Sequence, residues 1–202
     1  MIPALLLLIS ALSMIFFRIA PSFGGPEVIR TMAGFSPLMA LALCGGAFFP
    51  RRAAWGIGMA AVIVPHFIIN AVQGYPLWDA NLPTLIAVTA VVAVAGKAVG
   101  AKASAVVLIG VSLLSTVLFH LVTNTVSFFT VAGYAPTFAG WLQAQTTGLP
   151  QYPPTWLFSL KQLAGDLGFT MAFVLLCRRP SAAARTETPD TSAAVAAPAP
   201  AA

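Results

Sequence analysis

Charged side chains are scarce in this sequence. Only 7% of its 202 residues are Asp, Glu, Lys or Arg, whereas 59% are hydrophobic. A soluble domain carries roughly 25% charged residues, so this chain has too few polar groups to cover its own surface in water. The composition therefore excludes an ordinary soluble protein and indicates a membrane protein embedded in the lipid bilayer over most of its length.

Acidic residues are the less frequent of the charged residues. The chain has five Asp and Glu against ten Lys and Arg, which gives a formal net charge of +5. The basic residues fall in short gaps between apolar runs, where they set membrane topology. No polar face is left to present a basic patch, so we expect no nucleic-acid partner.

Catalytic and metal-binding motifs are missing as well. The sequence contains no GxSxG elbow, no HExxH helix, no Walker A loop and no GxGxxG after a strand. Its two cysteines, Cys44 and Cys177, lie inside apolar runs, which is typical of free buried thiols. No Cys and His spacing matches a zinc site. We therefore expect no enzyme, no metal centre and no resident cofactor.

Six long apolar stretches are present instead. None alternates like a strand, and in lipid a helix satisfies its own backbone hydrogen bonds. Because about 20 apolar residues cross a bilayer, we predict an all-α, polytopic membrane bundle of about six transmembrane helices within residues 1–179. The first stretch has no basic residue before its apolar core, so a retained helix is favoured over a cleaved signal peptide. The stretches are Pro3 to Ile19, Met32 to Phe49, Ala53 to Ala71, Pro83 to Val99, Ala103 to Val126 and Trp156 to Leu176.

The connections predict an orientation. By the positive-inside rule, the basic residues predict that both ends lie in the cytoplasm of a bacterial inner membrane, although Arg18 and Arg30 fall on the opposite side. We expect a short interfacial helix within residues 137–144, and a disordered cytoplasmic tail in the Ala/Pro-rich residues 180–202. The basic residues on the cytoplasmic side are Arg51, Arg52, Lys97, Lys102, Arg178, Arg179 and Arg185.

Glycines flank the predicted turn between the second and third helices. Small residues let helix backbones approach closely, so this pattern predicts a tight hairpin of these two helices. The glycines are Gly45, Gly46, Gly56 and Gly58.

Polar side chains inside the apolar stretches are the candidate site residues, because burying them in lipid is costly. A His followed four residues later by Asn occurs in two different stretches, and such spacing places both side chains on one helical face. The last stretch repeats the spacing with Gln162 and Asp166. We expect these residues to form a substrate-binding pocket open to the outer side: His66, Asn70, His120, Asn124, Gln162 and Asp166.

Other interpretations of these residues remain open. Polar residues in membrane bundles also hydrogen-bond neighbouring helices without any further role. Lys161 can extend to the membrane surface or serve as an ion-pair partner of Asp166. The two histidines can ligate a haem between two helices.

Three segments resemble a bacterial family of small, uncharacterised multi-pass membrane proteins with a TPVxALALFGGAYF-type stretch before a basic turn. The corresponding segments here are FSPLMALALCGGAFFPRR at 35–52, FHLVTN at 119–124 and GDLGFT at 165–170. The resemblance covers the chain from Arg18 to about Leu176.

The same pattern of Pro, apolar run, Gly and basic turn is distantly similar to the substrate-binding S components of energy-coupling factor transporters. That resemblance implies six helices, an outward pocket for a small molecule, and a transmembrane coupling partner with ATPases. Where such proteins often carry Asp near the end of the third helix, this chain has His66 and Asn70. The sequence thus predicts a small-solute transport protein or a substrate-binding subunit of one. The alternative is a membrane-embedded structural or haem-holding subunit of a larger complex.

Overall fold

The computed structural model describes residues 2–24, 27, 31, 34–49 and 51–177. The predicted tail at 180–202, together with Arg30, Arg178 and Arg179, lies outside the described residues. The described part is helical and contains no strand, which confirms the predicted all-α fold. A 3-10 turn at Ala20–Phe23 follows the first helix. The helices are α1 (Ile2–Ile19), α2 (Leu38–Phe48), α3 (Arg51–Gln73), α4 (Asn81–Val99), α5 (Ala105–Thr130), α6 (Phe138–Gln145) and α7 (Thr155–Cys177).

Five of the described helices have the length and composition of transmembrane helices. α1, α3, α4, α5 and α7 are long and apolar enough to cross a membrane. Their outer faces expose large apolar side chains such as Val106, Leu114 and Leu175, which are 79%, 67% and 72% exposed. Such faces are stable against lipid and not against water. The chain is therefore a membrane protein, as its composition predicts.

The second apolar stretch differs from the prediction. Its helix α2 has 11 residues, about 16 Å at 1.5 Å per residue, which is about half of the ~30 Å hydrocarbon core. Residues 34–37 before it are not helical, because Pro37 disfavours helical geometry at Ser36. Five described helices, not six, are therefore of full membrane-spanning length.

α2 is the centre of the bundle. Each of the five long helices contacts it, and residues 38–45 are all buried. This complete burial explains why α2 is apolar on all sides, whereas a helix at the edge of a bundle is apolar on the faces that meet its neighbours.

Two glycines allow α2 and α4 to pack backbone against backbone. A Cβ atom on Gly96 would lie 2.1 Å from the Leu43 carbonyl oxygen, and one on Gly46 would lie 2.1 Å from the Ala93 carbonyl oxygen. Gly56 and Gly58 have no such neighbour within 4 Å. The second and third helices are consecutive and in contact, as a hairpin requires, but the closest glycine-mediated approach is made by α2 and α4, which are not consecutive.

Three long connections meet at one end of the bundle, which we call the loop end (residues 20–24, 74–80 and 131–154). Gln73 Nε2 donates to Ser22 Oγ at 3.3 Å, and Tyr75 and Tyr152 line one cavity. The predicted short helix lies here as α6, and the Thr137 hydroxyl caps it by accepting from the Gly140 N–H at 3.2 Å.

Candidate functional site

The six predicted site residues lie in three separate groups and not in one pocket. The groups are an Asp166 joint with Gln162, a loop latch with His66 and Asn70, and a cavity wall with His120 and Asn124. The joint and the cavity are adjacent, since Thr116 belongs to both.

The Asp166 joint closes the N-terminus of α2. The Ala40 N–H donates to Asp166 Oδ1 at 2.9 Å, and the Thr116 hydroxyl donates to Oδ2 at 2.8 Å. Asp166 is 0% exposed. The first N–H groups of a helix have no partner within the helix, and its positive dipole end favours a carboxyl group. Asp166 therefore caps a helix that begins inside the bundle.

Other contacts of the joint also fit a structural role. A Cβ on Gly165 would lie 3.3 Å from the Ser36 carbonyl carbon, so α7 packs tightly on the turn before α2. The buried Gln162 amide lies near the Asp166 carboxyl without an aligned hydrogen bond. Within the described residues, Lys161 forms no ion pair with Asp166. The interpretation of Lys161 as the partner of Asp166 is therefore not supported.

The loop latch ties residues 76–82 to the end of α3. His66 Nε2 lies 3.2 Å from the Leu77 carbonyl oxygen, and Asn70 Nδ2 donates to the Pro76 carbonyl oxygen at 2.7 Å. Asp79 Oδ1 accepts from the N–H of Asn81 at 2.8 Å, which starts α4, and lies 3.8 Å from His66 Nε2. The His66 and Asn70 pair thus orders a loop.

Asp79 is held as a carboxylate by its neighbours. Burial alone would raise its pKa, but the N–H groups of Leu82 and Asn81, the Asn81 side chain and the nearby His66 lower the pKa below its ordinary value. Hydrogen bonds to the charged form have this effect. The latch is consequently strongest when Asp79 is ionised.

His120 has both ring nitrogens engaged. Nε2 lies 2.9 Å from the Gln145 backbone carbonyl oxygen, and because a carbonyl only accepts, Nε2 must carry the proton. Nδ1 is then the acceptor, and it faces the Ser159 hydroxyl and the Asn124 amide. An iron ligand would have to displace one of these contacts, so the geometry does not favour the haem alternative.

A cavity of about 360 Å³ lies between α5, α6 and α7 beside His120. Its size is in the range of small-molecule sites, which are mostly apolar with a few directed polar groups. Val117 and Leu160, at 44% and 53% exposure, form its outer rim on the outside of the bundle. The lining residues are Thr116, Val117, His120, Gln145, Trp156, Ser159, Leu160 and Leu163.

Gln145, which lines this cavity, has a buried side-chain acceptor without a partner among the described residues. Its Nε2 points to the Thr125 hydroxyl at 3.1 Å and to the Leu121 carbonyl oxygen at 3.5 Å, which fixes the amide orientation. Its Oε1 is buried without a partner, and the residue is 7% exposed. A buried acceptor left unpaired costs about 1–3 kcal/mol.

Comparison with known proteins identifies the family. A family of unknown function, DUF6580, matches residues 2–183, which include all seven helices described above. The chain belongs to this family. No curated protein and no solved structure matches it significantly. The predicted membership of an uncharacterised family is therefore confirmed.

The residues of these groups that were not predicted include Thr116, Ser159, Gln145 and Asp79. Thr116 could have been found, because it lies four residues before His120 on one face of α5. Ser159 could have been found, because it continues the helical face of Gln162 and Asp166 on α7. Gln145 and Asp79 lie in connections, where no periodicity links them to His120 or His66. Their contacts depend on how α6 and the 74–80 connection fold back on the bundle.

Proposed function

We propose that this protein binds a small solute in the cavity between α5, α6 and α7, as a transporter or as the substrate-binding subunit of one. The observation that carries the proposal is a cavity of about 360 Å³ whose wall includes Gln145, a residue with a buried side-chain oxygen that has no partner within the described residues. The apolar walls and the apolar rim favour a mainly apolar molecule. The free acceptor favours one with a hydroxyl or N–H group.

The central half-helix supports a transport role. Secondary transporters commonly build their binding sites beside discontinuous helices, where irregular backbone is buried in protein. Here the non-helical turn at 34–37 and the start of α2 are covered by α7, one turn from the cavity wall. The distant similarity to S components adds a transmembrane coupling partner with ATPases to the proposal.

Loss of a bound molecule on filling the cavity tests the binding site. Small molecules that co-purify with the wild-type protein would be identified by mass spectrometry and compared with Leu163→Trp, which fills the cavity. Leu114→Trp on the lipid-facing side of α5 is the matched control. We expect the molecule in the wild type and in the control but not in Leu163→Trp. Identical or empty spectra from all three proteins would contradict the proposal.

We also propose the bacterial inner membrane as the location, with both ends in the cytoplasm and the loop end outside. The support is the distribution of Arg51, Arg52, Lys97 and Lys102 away from the loop end. A reporter fused at the C-terminus should behave as cytoplasmic, and one inserted in residues 131–154 as periplasmic. Cytoplasmic behaviour of both would refute this orientation.

One observation favours a second candidate function, acyl transfer within the membrane. The Ser159 hydroxyl lies against His120 Nδ1, and the Gln145 carbonyl orients the ring from the other side. A serine with an adjacent base that is itself oriented is the arrangement of nucleophilic catalysis. The Ser159 oxygen would attack the carbonyl carbon of an ester or amide while its proton passes to Nδ1. The bond from that carbon to the alcohol or amine would then break, and the leaving group would take up the proton from Nδ1.

A fluorophosphonate probe separates the two candidates. If Ser159 is a nucleophile, the probe should label the wild type and the Ser13→Ala control but not Ser159→Ala. Absence of labelling in the wild type would eliminate the catalytic candidate and leave the binding function.

A further inference from the structure

Arg18 lies at a second cavity, at the loop end of the bundle and apart from the His120 site. It occupies the last turn of α1, on the side of the predicted membrane topology where basic residues are unexpected. The cavity has a volume of about 230 Å³. Its walls come from α1, the 3-10 turn, Gly34, α3 and α7, and they are Phe17, Arg18, Pro21, Ser22, Gly34, Ile69, Gln73 and Phe158.

No carboxylate of the described chain neutralises this arginine. Within the described residues, Arg18 forms no ion pair. Asp79 and Asp166 are engaged in the loop latch and the joint, and Glu27 is exposed. The remaining acids, Glu187 and Asp190, belong to the C-terminal segment outside the described residues. The partial negative charge at the C-terminus of α1 favours a guanidinium but amounts to only about half a charge.

The cavity offers donors and no acidic acceptor. A guanidinium presents five N–H donors in a planar fork that fits oxyanions. The Ser22 hydroxyl accepts from Gln73 Nε2 at 3.3 Å, which leaves its own proton free to donate. Phe17 and Phe158 on the walls exclude water from one side, and a low dielectric strengthens the attraction between a charge and its counter-ion.

We propose that this cavity binds a phosphate group, held by the Arg18 guanidinium and the Ser22 hydroxyl. A phosphate is favoured over a carboxylate because its three oxygens can accept from more of the Arg18 N–H and Ser22 O–H donors than two carboxylate oxygens can. The same chemistry is supplied by the headgroup of an anionic lipid and by a soluble phosphate or phosphomonoester. The site is independent of the proposed solute cavity, since none of its lining residues belongs to that cavity.

Two measurements distinguish the sources of the phosphate. The first is thermal unfolding in uncharged detergent with inorganic phosphate, compared with chloride at equal ionic strength. The second is native mass spectrometry of protein released from nanodiscs of phosphatidylglycerol or phosphatidylcholine. Stabilisation by phosphate identifies a soluble ligand, whereas retention of phosphatidylglycerol alone identifies a lipid headgroup.

Two variants that each remove one positive charge test whether Arg18 binds phosphate. Arg18→Gln should weaken phosphate or phosphatidylglycerol binding at least about tenfold, because hydrogen bonds to charged groups contribute about that factor or more. Lys102→Gln, which removes an exposed charge between α4 and α5, should leave binding unchanged. No binding to the wild type, or equal binding to Arg18→Gln, would overturn the proposal.

Two milder variants apply if Arg18→Gln fails to fold. Arg18→Lys keeps the charge and loses the planar fork, and Ser22→Ala removes one donor. Each should weaken binding several-fold while the protein stays folded. Unchanged binding in both variants would likewise overturn the proposal.

Discussion

The Asp166 joint and the His120 cavity lie side by side between α5 and α7, yet one is closed and the other is hollow. Asp166 is 0% exposed, and both its carboxyl oxygens accept hydrogen bonds. One turn along α5, His120 borders a cavity of about 360 Å³, and Gln145, whose buried Oε1 has no partner within the described residues, lines the same cavity. The same two helices therefore build a structural contact and the wall of the proposed binding site.

The third element at each place makes the difference. At the joint it is the N-terminus of α2, whose free N–H groups match the carboxyl oxygens. At the cavity it is the C-terminus of α6, which contributes the Gln145 carbonyl to His120 but leaves the side-chain oxygen unmatched. The polar residue at the joint is satisfied by a helix end, whereas at the cavity one buried oxygen, Gln145 Oε1, has no partner within the described residues.

Removing the carboxyl group at the joint should have the largest effect. Asp166→Ala leaves the buried Ala40 N–H without its acceptor, and we expect a loss of about 2–4 kcal/mol in the free energy of unfolding. Asp166→Asn keeps one acceptor oxygen and should cost about half as much. Thermal unfolding in detergent measures both.

Lys161→Met is the control for the joint. If Asp166 acts as the cap of α2, this change should not rescue the stability of Asp166→Asn. Rescue would instead reveal an ion pair between Asp166 and Lys161. It would contradict the role of Asp166 as the cap of α2.

The close contact of α2 with α4 is a second tightly packed region that can be compared with the cavity. Gly96→Ala places a methyl group 2.1 Å from the Leu43 carbonyl oxygen, and we expect a loss of about 1–3 kcal/mol because the backbones must move apart. Gly56→Ala, with no neighbour within 4 Å, should be neutral or stabilising by up to about 1 kcal/mol. Equal melting temperatures for the two variants would contradict the α2–α4 contact.

Substitutions of Thr116 and Ser159 compare how much the joint and the cavity wall contribute to stability. Thr116→Val removes the donor to Asp166 and should cost about 1–2 kcal/mol. Ser159→Ala removes a hydroxyl that faces His120 and the cavity, and it should cost less than about 1 kcal/mol. Chemical or thermal unfolding of the two variants gives the ranking, and the reverse order would show that the cavity wall is the structural element.

Protonation of Asp79 in the loop latch should have the smallest effect on the structure. The pKa of Asp79 is lowered in the folded protein, so its contribution is present above the unfolded value of about 3.9 and is lost as the pH falls through the folded value. Hydrogen exchange in residues 74–82, corrected for intrinsic rates, should therefore increase below about pH 4. Asp79→Asn should abolish this dependence. An unchanged profile in the variant would assign the pH effect to another group.

Much of the fold could be predicted because the hydrophobic runs are long and unambiguous. α4 is observed at Asn81–Val99 against a prediction of Pro83 to Val99, and α7 at Thr155–Cys177 against Trp156 to Leu176. The length of α2 was missed, since its apolar run is continuous through Pro37 and only the backbone restriction at Ser36 delays the start of the helix.

The candidate site was less predictable, as the two His and Asn pairs show. His66 with Asn70 and His120 with Asn124 have the same spacing and the same helical geometry, yet the first pair holds a loop and the second borders a cavity. Spacing reports which side chains share a helical face. It does not report what lies opposite that face.

The sequence by itself determined that this is an all-α membrane protein, because so few charges and such long apolar runs permit no other solution in lipid or water. It also identified the polar residues that would need partners. Tertiary structure alone decided which of them found those partners within the chain. Asp166 did so at α2 and His66 at the 74–80 connection. The packing also left Gln145, which the sequence did not single out, with a buried oxygen that has no partner within the described residues. The reason is that hydrogen-bond partners distant in sequence are set by how helix ends pack, and neither composition nor periodicity records that packing.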